Sequence, residues 1–96
     1  MKGFKEGDIV KISGKPEDFS TIFDIKEVTN LIGEVSIISN EMIIVTFTEG
    51  IKLLKDSASY DFHLIPAYKN IIKHVTQREQ FLYELFGSTC LKEKDK

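Results

Sequence analysis

The stretch LIGEVSIISNEMIIVTFTEG, residues 31–50, reads as two β-strands joined by a tight turn. Val35, Ile37, Ile38, Ile43, Ile44, Val45, Thr46, Phe47 and Thr48 are β-branched or aromatic. Such side chains fit a pleated, half-buried surface and lose rotamer freedom in a helix. Ser39, Asn40 and Glu41 separate the two runs. Asn tolerates positive φ, so the turn is expected to centre on Asn40, and Gly50 to end the second strand. Alternation then sorts the faces. Gly33, Val35 and Ile37 share one face with Ile43, Val45 and Phe47. The other face mixes Glu34, Ser36, Thr46 and Thr48 with Ile32, Ile38, Met42 and Ile44, so its apolar end needs a second cover.

Outward from this hairpin, residues 8–13 read as a first strand, in which Val10 and Ile12 alternate with polar neighbours between Gly7 and Gly14. Residues 15–30 are expected to form a long, partly ordered loop. The alternative there is a helical turn opened by Pro16, Glu17 and Asp18. Residues 51–55 read as a fourth strand, 60–64 as a single turn, and 64–67 as an edge strand that tolerates Pro66. The expected core is Val10, Ile12, Val35, Ile37, Ile43, Val45, Phe47, Leu53 and Leu64. Beyond it the period changes. Thr76-Gln77-Arg78-Glu79 is a capping box, so a helix begins at Gln77, and Gly87 is placed to end it. Its apolar side, Ile72, Val75, Leu82 and Phe86, would pack on the second apolar patch, Ile9, Ile38, Met42 and Ile44, within one chain or across a symmetric homodimer. Residues 88–96 read as a charged tail.

The order of these elements resembles a small SH3-like barrel. Gly7-Asp8-Ile9-Val10-Lys11-Ile12 is similar to the opening strand of such barrels, Ile32-Gly33-Glu34-Val35 to the second, and Val45-Thr46-Phe47 before Gly50 to the third. Asp61-Phe62-His63-Leu64-Ile65-Pro66 resembles the turn into the closing strand. The likeness is greatest to KOW-like barrels and spans residues 7–67. It implies a mainly β fold, a five-stranded SH3-like barrel over residues 1–67, to which the helical period read above adds a C-terminal α-helical extension over 68–87. Barrels of this kind bind RNA, DNA, peptides or proteins, so fold alone selects no function.

Several chemistries find no support in the letters. The 96 residues allow one domain. A net charge of −2 supplies no global field for nucleic acid. No apolar run approaches the roughly 20 residues of a membrane span, and the first residues lack the apolar core of a leader. A single cysteine, Cys90, fits a reducing cytoplasm. Asp61 and His63 lie two apart, but no CxxC or HExxH accompanies them, so no metal or other cofactor is expected. No activated Ser or Cys stands beside a base, so the chain is not expected to be an enzyme.

Two binding readings remain. In the first, the chain is a cytoplasmic protein-interaction module, an accessory protein of a bacterium or phage. Its surface would comprise Glu17, Asp18, Phe19, Phe23 and Asp24 of the long loop, with Tyr60 and Phe62 alongside. Long loops and exposed aromatics are common at interfaces, and acidic residues steer towards a basic partner. Phe19 and Phe23 have an alternative role as plugs in one end of the barrel. In the second reading, Tyr68, Lys69, Lys73, His74 and Arg78 form a basic run with aromatic interleaving that would hold a nucleic-acid strand.

Overall fold

The structure is a computed structural model that describes residues 3–19, 28–55 and 58–91, and the side chains of these except for Pro16 and residues 52–60. Five antiparallel strands form one sheet: β1 (Ile9–Gly14), β2 (Val28–Ile38), β3 (Met42–Lys55), β4 (Ala58–Tyr68) and β5 (Ile72–His74), in the order β4-β3-β2-β1-β5. Short 3₁₀ turns stand at Pro16–Asp18 and Lys69–Ile71, and α1 (Gln77–Phe86) comes after the sheet. The sheet is open, with β4 and β5 as its edges. An isolated bridge from Phe19 to Ala67 ties the chain after β1 to the β4 edge.

The hairpin between β2 and β3 is present, with the Ser39 amide bonded to the Met42 carbonyl at 2.9 Å. Its tip is held by the Ser39 hydroxyl, which donates to the Met42 carbonyl and accepts from the Met42 amide. The positive φ expected at Asn40 occurs at Asn30 instead, at 52°. There a bulge sets Thr29 and Asn30 against Ser13 of β1.

A second bulge corrects the face assignment. Val35 pairs with Val45, but Ile37 pairs with Ile44, so one extra residue, Ser36, sits on β2. The shift turns Ile37 outward, where it is 54% exposed. Ile38 turns inward and packs against the core. A one-residue slip reverses every later side chain of a strand, and periodicity alone does not announce it.

The strand boundaries after Gly50 also differ from expectation. Gly50 lies inside β3, and residues 58–68 form one strand where the letters predict a loop, a turn and a short strand. The pairing of β3 with β4 resumes after a long irregularity: Thr46 faces Leu64 and Ile51 faces Phe62. The excess residues on β3 let Phe47 and Ile51 both enter the core. On β4, Val45 faces Ile65, so Ile65 and Ala67 point inward, both fully buried. Leu64 is therefore not a core residue and is 39% exposed. A boundary at residues 67 and 68 would cut β4, and β5, within the expected extension, completes the sheet by pairing with β1.

Val10, Ile12, Val35, Ile43, Val45 and Phe47 are buried as expected, and Phe19, Val28, Leu31, Ile65 and Ile72 join them. Leu53 belongs to the undescribed side chains. Gly33 is required by close packing: a Cβ there would lie 2.4 Å from the Thr46 carbonyl oxygen and 2.6 Å from Val45.

Val45→Ala is expected to lower unfolding stability by about 1–3 kcal/mol, through lost burial and a residual cavity. Ile65→Ala is expected to cost about 2–5 kcal/mol, whereas Leu64→Ala should change stability by about 1 kcal/mol or less. Urea denaturation of the three variants checks the register, and equal costs at Ile65 and Leu64 would refute it.

Candidate functional site

The expected loop surface divides. Glu17 is exposed in the first 3₁₀ turn, and Asp18 is half-buried there, its carboxylate accepting from the Lys15 amide at 3.0 Å. Phe19 is 1% exposed. It is a core side chain next to the bridge to Ala67 and offers a partner no surface. Phe62 is half-buried and packs against the core. Phe23 and Asp24 lie outside the described residues, and Tyr60 is among the undescribed side chains.

The basic run does not gather on one face. Successive residues of a strand point to opposite sides, so Lys73 and His74 part company on β5. His74 stacks on Phe4 at 4.7 Å, and its Nε2 lies 3.2 Å from the Gly3 carbonyl. Tyr68 ends β4, and Lys69 begins the second 3₁₀ turn, its amide bonded to the Glu41 carbonyl. Arg78 is exposed in the first turn of α1. Lys73 stands opposite Lys11 on the outer face of β1 and β5.

The helix starts as its letters dictate. The Thr76 hydroxyl accepts from the Glu79 amide at 3.1 Å, and the Glu79 carboxylate accepts from the Thr76 amide at 3.0 Å. The same carboxylate accepts from Lys11 Nζ at 2.7 Å, joining the first helical turn to the outer face of β1. Lys11 first, then the Thr76 amide, holds the Glu79 carboxyl below its ordinary value. Yet α1 buries none of its residues, and Phe81, Leu85 and Phe86 are 59%, 58% and 66% exposed. The expected packing of Phe86 on the sheet is therefore not found. Ile72, assigned to the helix side, is instead a buried residue of β5.

The chain leaving the helix is anchored. Gly87 ends α1 with φ at 89°. Ser88, expected to begin a charged tail, is fully buried. Its carbonyl accepts from the Ile32 amide at 3.0 Å, and its hydroxyl accepts from the Thr48 amide at 3.0 Å. It thus spans β2 and β3. Glu49 completes the junction, accepting from the Ser88 amide at 3.1 Å, from the Thr89 hydroxyl at 3.2 Å and from the Thr48 hydroxyl. Ile32, on the outer face with Lys11, is fully buried outside the main core cluster. Burial works to raise the Glu49 pKa, but hydrogen bonds from Thr48, Ser88 and Thr89 outweigh it and hold the carboxyl below its ordinary value.

Two other titratable groups beside this junction stay in their neutral forms. Burial, followed by Glu49 and Glu79, pushes the Cys90 thiol up, against a lesser backbone hydrogen bond. Its thiolate is therefore disfavoured. Burial, then Glu34 and Glu49, likewise keeps the Tyr83 phenol protonated. Among the described residues no three His, Cys, Asp or Glu side chains are grouped to hold a metal ion, and no helix is long and apolar enough to cross a membrane. No protein-family model, curated protein or solved structure matches the chain significantly.

Removing the Ser88 hydroxyl leaves the Thr48 amide without its partner. Ser88→Ala should cost about 1–2 kcal/mol in a thermal or urea melt, and a melt identical to wild type would show that the junction contributes nothing.

The junction is also pH-sensitive. Glu49 and Glu79 titrate below the ordinary value of 4.5 in the folded chain. Each therefore contributes stability that is complete above that value and is lost as pH falls through the folded pKa. The melting midpoint is expected to fall in that acidic window. Glu49→Gln should melt below wild type at neutral pH and converge with it in acid, and a gap that stays constant would contradict the assignment.

Proposed function

We propose that this chain is a small, non-enzymatic protein-binding module of the SH3-like type, working in the cytoplasm of a bacterium or phage-infected cell, with α1 as its docking element. Support for the fold reading comes from the plan of the chain. A long connection follows β1, a tight hairpin joins β2 to β3, and a single 3₁₀ turn precedes a short last strand that returns to β1. Closure into a barrel is part of the proposal, and the Phe19–Ala67 bridge is the contact that favours it.

The observation that carries the binding reading is the uncovered side of the helix, opposite the half-buried Leu82 and Tyr83. A ten-residue helix is marginal by itself and normally draws its stability from packing an apolar side. Here Phe81 and Leu85, four residues apart and so on one side, stand mostly in solvent together with Phe86. Aromatic and large aliphatic side chains presented in this way are the anchors of helix-in-groove recognition. Gln77, Gln80 and Glu84 line a recess of about 350 Å³ beside Phe81. The partner is therefore a protein with an apolar groove whose rim supplies hydrogen-bond donors. The acids Glu17 and Asp18 lie on a different element and serve, in this reading, to steer a basic surface.

The test uses the full chain with Phe81→Asp and Leu85→Asp combined. Both side chains are more than half exposed, so the melt should stay near that of wild type. A partner captured by wild type, identified and purified, should lose measurable affinity for the double variant. Unchanged affinity would overturn the role of α1. A wild-type dimer in sedimentation that dissociates on the same substitutions would make the groove-bearing partner a second copy of this chain.

A further inference from the structure

On the outer face of β1 a groove of about 350 Å³ is lined by Lys11, Ser13, Asn30, Asn70, Ile71 and Lys73. The sheet register builds it. Lys11 and Lys73 face each other across β1 and β5, and the bulge in β2 brings Asn30 against Ser13. Asn70 and Ile71 come from the 3₁₀ turn just before β5.

We propose that this groove is a binding site for a phosphate group, carried either by a small phosphate ester or by a single-stranded nucleic acid. Three observations converge. First, like charges placed directly opposite in a sheet repel one another, and among the described residues only one of the two has an ion-pair partner. Lys11 is paired with Glu79, while Lys73 is exposed and has no ion-pair partner among the described residues. The second observation concerns the polar lining, which offers donors. The Asn30 side-chain oxygen lies 3.2 Å from the Ser13 hydroxyl that donates to it, and the Ser13 oxygen accepts from the Asn30 amide at 2.7 Å. Both acceptors are thus engaged, which leaves the Asn30 side-chain NH₂ to donate.

Third, no carboxylate is among the described residues that line the groove, and Glu79, which reaches Lys11 from α1, is engaged in that ion pair, although acids outnumber bases in the chain, 15 to 13. Asp18, which packs against Gly14 close to Ile71, accepts from the Lys15 amide through one carboxylate oxygen. A concave surface whose described lining offers ammonium and amide donors and no acid matches the acceptor oxygens of a phosphate. Lys73 supplies the charge, Asn30 and Asn70 the directional hydrogen bonds, and Ile71 an apolar wall.

The experiment titrates the isotope-labelled full chain with inorganic phosphate, exchanged for chloride at constant ionic strength, and separately with single-stranded oligouridylate. Saturable amide shifts are expected at Lys11, Ser13, Asn30, Asn70 and Lys73. Lys73→Gln, at an exposed position, should weaken binding about tenfold, as the loss of one charge-assisted hydrogen bond does. Arg78→Gln, a cation outside the groove, should bind like wild type. If phosphate and oligouridylate bind alike per phosphate, the ligand is a small phosphate ester. If the oligonucleotide binds more tightly and Lys73→Gln lowers its salt slope by about 0.7, the ligand is a strand. Shifts that do not saturate, or that weaken equally in Lys73→Gln and Arg78→Gln, would overturn the proposal.

Discussion

Where β2 and β3 separate, Ile32 and Thr48 would each be left with an amide lacking a strand partner, and Ser88 supplies both acceptors. An amide withdrawn from water without a partner costs about as much as a lost hydrogen bond. The divergence of the two central strands is therefore stable only because the chain returns to that place after α1. The return depends on Gly87. A Cβ there would lie 2.7 Å from a Glu49 carboxylate oxygen, and its φ of 89° suits glycine alone among common residues. Glu49 then holds Ser88 and Thr89 through charge-assisted bonds.

This junction explains how a helix without a single buried residue keeps its place. It is tied at its start by Glu79 to Lys11 and at its end by Ser88 to β2 and β3. Leu82 and Tyr83 are half-buried, and polar attachment at both ends leaves Phe81, Leu85 and Phe86 in solvent. The uncovered side is thus consistent with a fixed helix rather than with an undocked one, and that is the basis of the binding reading. The two candidate surfaces are also separate: the phosphate groove lies on β1 and β5, and Phe81 and Leu85 lie on α1.

The candidate residues are unevenly legible in the sequence. Phe19 and Phe62 stand out as aromatics in an unusual segment, but letters do not distinguish an anchor from a plug, because both need a large apolar side chain. Lys73 is visibly part of a basic run, yet its neighbours in space, Lys11, Ser13 and Asn30, are between 43 and 62 positions away in the chain and meet only through the register of β5, β1 and β2. Ser88 carries no signal. A serine after a helix is ordinarily solvated, and only the gap between β2 and β3 gives it partners.

Local chemistry by itself determined that a hairpin joins β2 to β3, most of the core on β1, β2 and β3, and the start and end of α1. Each of those rests on interactions within a few residues: alternation, turn geometry, a capping box, a terminal glycine. Tertiary structure alone decided the rest. Bulges at Ser36 and Asn30 moved Ile37 outward and set the groove, because one added residue reverses every later side chain of its strand. Gly50 stayed within β3 because β4 was long enough to resume pairing beyond the irregularity, through Ile51 and Phe62. Leu64 and Ile65, adjacent and equally apolar, were assigned their sides by Thr46 and Val45 across the sheet. Such choices depend on pairing between distant segments, and no window of the sequence contains both partners.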